Sequence, residues 1–132
     1  MRSLIRGLII ADSELMGLIP AERWVSGGSL TAENAPARPF AVIRFGVTGV
    51  GMAHIHRMSA TIWIHDDPGS YGQIDDIIFR LNAILDGVEQ VSDGAGNELM
   101  RCSWESNSGD LYDPGFRTIT RNSTFAIVGK GA

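Results

Sequence analysis

One stretch constrains this chain more than any other: residues 61–87, T-I-W-I-H-D-D-P-G-S-Y-G-Q-I-D-D-I-I-F-R-L-N-A-I-L-D-G. It reads as a buried strand, a tight acidic turn and a long amphipathic helix. Ile74, Ile77, Ile78, Leu81, Ile84, Leu85 and Val88 recur on a 3.6-residue period and form a single apolar stripe. Ser70 has the chemistry of an N-cap, and Gln73 three residues later completes a capping box. Pro68-Gly69 stops the strand before the helix, and Gly87 suits the left-handed residue that closes it. Phe79 breaks the pattern. At about 100° per residue it points away from the stripe, among Asp75, Asn82, Ala83 and Asp86. Either another part of the chain covers it, or it is a contact point for a second molecule, a common use of aromatics on polar faces.

The helix needs a body to pack on, and 132 residues are enough for one domain with its own core. The chain is 44% hydrophobic and 20% charged, and its 16 glycines imply long loops and turns. A net charge of −4 and a pI near 5.2 argue against a protein whose main task is gripping nucleic acid. The single cysteine, Cys102, allows no internal disulfide and fits a small core residue. Arg6, Gly7, Asp12 and Glu14 interrupt the apolar N-terminus, so a signal peptide is not expected. No run approaches the ~20 apolar residues of a membrane span. A cytosolic site of synthesis is the expectation, and no membrane partner is predicted.

Around that helix the rest of the chain reads in order. Leu4, Ile5, Leu8, Ala11, Leu15 and Leu18 share a helical face, which predicts a helix or bent helix pair over 2–19, with Asp12 capping the second part and Pro20 ending it. Residues 20–38 lack a period and read as a long loop, in which Trp24 either pins the loop to the core or meets a ligand. Residues 40–47 and 57–65 read as strands, joined by a flexible connection within 46–56. A third strand over 98–105 places Met100, Cys102 and Trp104 on one face. A polar loop at 105–116 leads to a last strand, 116–128. There Ile119, Arg121, Ser123, Phe125 and Ile127 alternate with a Thr-rich face that is wet or an interface. The prediction is a single α+β domain over 1–132: a four-stranded, mainly antiparallel sheet with helices packed on one side, in the order α-β-β-α-β-β.

The motifs that could carry chemistry are weak. His54, His56, His65 and Asp66 could serve a small metal-dependent hydrolase only if they converged around one open position. His54 and His56 lie in a Gly-rich segment, however, and Asp66-Asp67-Pro68-Gly69 is turn chemistry near a helix N-terminus. Gly46, Gly49 and Gly51 precede a strand, not the helix a phosphate cradle needs. Residues 108–113, S-G-D-L-Y-D, lack the further carboxylates of a calcium loop. Asp75 and Asp76 diverge on their helix, and no G-x-S-x-G elbow is present. No catalytic, metal or cofactor residue is predicted, and the chain is not expected to be an enzyme.

Three segments carry a family likeness: the N-terminal helix pair ending near Leu18-Ile19, W-I-H-D-D-P-G-S-Y-G-Q-I-D, and S-G-D-L-Y-D-P-G-F-R-T-I-T-R-N-S-T-F. With the element order, they make the chain resemble the tail terminator proteins of long-tailed (siphovirus) bacteriophages, especially those infecting actinobacteria. The resemblance implies a structural virion protein, assembled in the host cytoplasm and resident in the tail or neck. It implies a homo-hexameric ring that caps the tail tube protein, stops tube polymerisation and forms the joint to the head-tail connector protein. DNA would pass through such a ring without specific binding. On this reading Trp24, Phe79, Asp66, Asp67, Asp110 and Tyr112 are the expected subunit or partner contacts, with the Thr-rich face of the last strand. Another neck or connector protein, or less readily the metal-dependent hydrolase, is the alternative.

Overall fold

The computed structural model describes residues 1–26, 30–50 and 55–130, with residues 47–50 described by backbone alone. Two short helices open the chain, α1 (Arg2–Ile10) and α2 (Ser13–Leu18). The Asp12 carboxylate caps α2 by accepting the Leu15 N–H at 3.0 Å, as its position implied. A single 3-10 turn (Ala21–Arg23) follows, and then β1 (Trp24–Ser26), β2 (Phe40–Val50) and β3 (Ile55–Asp66). Helix α3 (Gly72–Leu85) separates these from β4 (Glu89–Ser92), β5 (Glu98–Asn107), β6 (Leu111–Asp113) and β7 (Thr118–Lys130).

The α+β class matches the expectation; the sheet is larger. Among the described residues seven strands are present where four were expected, and the element order is α-α-β-β-β-α-β-β-β-β rather than α-β-β-α-β-β. Across the sheet the strands run β1-β2-β3-β7-β5-β4, with β6 on β7. Strand β7 pairs along one edge with β3, and its other edge is shared by β5 (Ser123 to Lys130) and β6 (Thr118 to Thr120). Every pairing is antiparallel except β1 with β2. The three extra strands have three or four residues each, too short to show a period of two in the sequence. Each occupies a segment that reads as loop or turn. Thus 20–38 contains β1 and 105–116 contains the end of β5 and all of β6, while β4 follows α3 and runs into the glycine-rich stretch 91–97. In 46–56, strand β2 runs on to Val50 and β3 begins at Ile55; residues 51–54 lie outside the described residues.

The helices pack on one face of the sheet. Ile74, Ile77, Ile78, Leu81 and Leu85 of α3 join Ile5, Ile9 and Leu15 of α1 and α2 in one cluster. That cluster includes Ile43, Ile62, Ile64, Phe125 and Ile127 from the long strands. Each fully buried aliphatic side chain contributes roughly 1.5–3 kcal/mol, so the α3 stripe alone anchors the fold. The capping box at its start does not form: the Ser70 hydroxyl accepts from the Gly72 N–H at 3.1 Å, and Tyr71 is the flanking residue, without a side-chain cap. At the other end Gly87 has φ of 83°, and its N–H donates to the Cys102 carbonyl at 2.8 Å, which turns the chain into the sheet edge.

Among the described residues the opposite face carries no helix. By register it presents Val42, Arg44 and Gly46 of β2, and Arg57, Ser59, Thr61 and Trp63 of β3. Asn122, Thr124, Ala126 and Val128 of β7 and Arg101 and Ser103 of β5 lie on it as well. One end of this face has a small core of its own, where His65 stacks on Phe40 (centroids 4.7 Å apart) and meets Phe116 edge-on. Among the described residues, no helix is long and apolar enough to cross a membrane.

Candidate assembly surface

Phe79 is 78% exposed, the most exposed of the large apolar side chains described, so nothing in the described chain covers it. It belongs to a stripe along the outer side of α3 formed by Asp76, Phe79, Ala83 and Asp86, at the i, i+3, i+7 and i+10 positions. Trp104, 44% exposed, stands beside it on β5, and the two rings flank a shallow depression lined by Asn82, Ala83 and Asp86. Trp104 is held from two directions: its indole Nε1–H donates to Asn107 Oδ1 at 2.9 Å and its backbone N–H to Asp86 Oδ1 at 2.9 Å. Asn82 extends the clamp, donating to Asn107 Oδ1 at 3.2 Å and accepting the Ser123 hydroxyl at 2.5 Å. Trp104 is therefore held in place before any partner arrives, which lowers the entropic cost of contact at that ring, while Phe79 stands out from the helix beside it.

Sequence reasoning found Phe79 but not Trp104. The strand pattern grouped Met100, Cys102 and Trp104 on one face, and a bulge between Leu99 and Arg101 removes Met100 from it. Leu99 and Cys102 both point into the core, whereas Met100 is turned outward. Trp104 stays on the helix side with Cys102 but lies past the cover of α3. A bulky aromatic just before a polar loop was the available signal. Cys102 is buried, and burial pushes its thiol up to about 12, with Asp86 adding to the shift.

The remaining expected contacts divide. Trp24 is corrected: it is 2% exposed, its indole N–H donates to the Ile19 carbonyl at 3.0 Å, and it presents no surface to a partner. It pins the segment after α2 to the core. Asp66, Asp67, Asp110 and Tyr112 gather at one end of the sheet. Asp66 and Tyr112 both sit opposite Ile119 of β7, one from each side. Tyr112 is 57% exposed. Asp67 pairs with Arg38 at 3.0 Å, while Asp110 lies 3.9 Å from Arg121. Arg121 also grips Asp75 of α3 and donates to the Ser108 carbonyl, tying this end to the helix.

The metal arrangement does not assemble. His56 and His65 lie nine residues apart on β3, roughly 30 Å at the strand rise, and nine steps put them on opposite faces. Asp66 is one residue farther from His56, and His54 lies outside the described residues. Among the described residues no group of three His, Cys, Asp or Glu side chains is placed to hold an ion. His65 has a structural place: it is 4% exposed, with Nδ1 2.8 Å from the Thr118 hydroxyl. Burial holds its pKa down at about 4, so the ring is neutral.

No family model matches the chain, and no curated protein matches it in sequence. Its fold, however, is shared with a virion chain. A chain from the structure titled "Virion of native gene transfer agent (GTA) particle" superposes with a TM-score of 0.77, covering 99% of this chain and 95% of that one. Identity over the match is 12%, so the likeness is one of fold.

Proposed function

We propose that this chain is a structural virion protein that forms a homo-hexameric ring on the end of a tail tube, stops the tube's growth and joins it to the head connector. The observation that carries the reading is the whole-chain fold likeness to a chain of a gene transfer agent virion. The exposed aromatic pair on α3 and β5, with Trp104 held by hydrogen bonds, supports it, because a ring subunit needs exposed anchors on an ordered body. Phe79 serves contacts between copies. The cluster Asp66, Asp67, Asp110 and Tyr112, at one end of the sheet, serves contacts with the neighbouring tube or connector ring. An overall charge of −4 suits a pore through which DNA slides without sticking; a basic lumen in an assembled ring would remove that element.

Light scattering on the purified protein across a wide concentration range, with and without polymerising tail tube protein, tests the reading. A particle of six 14.2 kDa chains that halts tube elongation supports it. A protein that leaves tube length unchanged but binds the connector belongs to the neck instead.

A further inference from the structure

The outer stripe of α3 and the helix-free face of the sheet are matched in charge, spacing and relief, and we infer that they are the two halves of one contact between successive copies. The inference rests on the ring reading and names the surfaces that would close the ring. The stripe offers a carboxylate at each end, Asp76 and the C-cap residue Asp86, whose Oδ1 accepts the Trp104 N–H, with Phe79 and Ala83 between them. Ten residues of helix separate the two acids, about 15 Å along the axis. On the opposite side of the molecule, Arg44 and Arg57 are exposed and form no ion pair among the described residues. Arg44 sits opposite Thr61, four residues from Arg57 along β3. Strand rise and strand spacing together put the two arginines about 14 Å apart. The acids and the arginines therefore share one spacing.

Relief agrees with charge. Between the two arginines the face is crossed by a row of small residues, Gly46, Ser59, Ala126 and Ser103, contributed by β2, β3, β7 and β5. An aromatic ring standing out between two carboxylates meets its lowest ground there. The same face carries other charges. Arg101, across Val128 from Arg57, adds a cation at the far end of the small row, where its Nε donates to Ser103 Oγ at 3.1 Å, with Glu89 opposite it on β4. Asp113 shares the depression beside Arg44 and Trp63, and Glu98 lies at the margin of β5. Asp12 and Glu14, on the stripe's own side, are neutralised by Arg80 at 2.7 and 3.1 Å, and Asp75 by Arg121.

The two surfaces lie on opposite sides of one sheet, so the contact is heterologous, and a chain of such contacts either closes into a ring or runs on as a filament. Its occupant is a second copy of this chain, since each copy carries both halves.

The test is assembly of the full chain by light scattering, for wild type and for Phe79→Ser, Asp76→Arg, Arg44→Glu and Arg57→Glu, each checked for unchanged thermal unfolding. All four positions are solvent-facing, so each variant is expected to unfold at the wild-type temperature. Each single variant is expected to raise the protein concentration needed for assembly tenfold or more. Mixing Asp76→Arg with Arg44→Glu or with Arg57→Glu restores it in at least one mixture, because alternating copies then meet through native or charge-swapped pairs. A wild type that stays monomeric throughout, variants that assemble like wild type, or a rescue in neither mixture overturns the contact. Assembly indifferent to these residues would leave a ring reading standing without this contact. Assembly that needs them but gives filaments or dimers would keep the contact and sink the six-membered ring.

Discussion

Lowering the pH from about 7.5 to 5 should destabilise this protein through His65. The ring is 4% exposed, sandwiched against Phe40 and Phe116, and its pKa is held at about 4 against 6.5 for the free side chain. Between those values the unfolded chain binds a proton that the folded chain refuses, so stability rises with pH across that window. The contribution is complete above pH 6.5 and is lost progressively as the pH falls to about 4. The full difference amounts to about 3 kcal/mol, with a steepest slope near 1.4 kcal/mol per pH unit. About 2 kcal/mol of it is gone by pH 5, where ordinary carboxylates are still mostly ionised in both states and add little. Urea unfolding at several pH values reads this directly, provided the slope with denaturant stays constant. His65→Asn is the control: its amide can still reach the Thr118 hydroxyl but does not titrate. The variant should lose about 1 kcal/mol at pH 7.5 for the missing ring stack, and should lack the extra decline toward pH 5. A wild-type stability that is flat from pH 7.5 to 5, or a decline equally steep in the variant, would refute the reasoning.

Other substitutions test the frame that carries the assembly surface. Leu81→Ala, at a fully buried position of α3, should cost about 2–5 kcal/mol in denaturant unfolding; a loss under half a kcal/mol, about the size of a surface change, would mean that the helix does not anchor the core. Asp12→Ala removes both the cap of α2 and the two-point grip of Arg80 Nε and Nη2, at 3.0 and 2.7 Å, and should cost about 1–2 kcal/mol, with unfolding midpoints as the readout. Arg80 holds the Asp12 carboxyl below its ordinary value, so this contribution is present at neutral pH and fades only as the pH drops below the usual aspartate range. Cys102 should resist thiol reagents in the native protein and be labelled at the rate of unfolding; rapid labelling of folded protein would contradict its burial.

What the sequence settled by itself is whatever depends on near neighbours along the chain. The 3.6-residue stripe of α3, the Asp12 cap at the joint of the N-terminal helices, the alternation that puts Ile119, Ser123, Phe125 and Ile127 into the core with Arg121 half-buried among them, and the turning of Phe79 away from the stripe are local geometry, and they hold. Thr118 and Thr120, on the face expected to be wet or an interface, are buried instead, and whether anything covers Phe79 is not a local matter. Tertiary structure decided the rest. Strands β1 and β6 exist only because β2 and β7 offer them an edge, and three residues carry no period to read. The bulge that turns Met100 out of the core is a mismatch between two strands, and neither strand's pattern contains it. The same holds for the site. Phe79 was visible as an anomaly on its own helix, but Trp104 became its neighbour only when β5 folded beside α3. The small row between Arg44 and Arg57 draws on four strands that the sequence keeps far apart. His54, His56, His65 and Asp66 illustrate the converse, since closeness in sequence suggested a cluster. An extended strand carries its residues about 3.3 Å farther apart at every step, and His56 and His65 end up at opposite ends of the sheet.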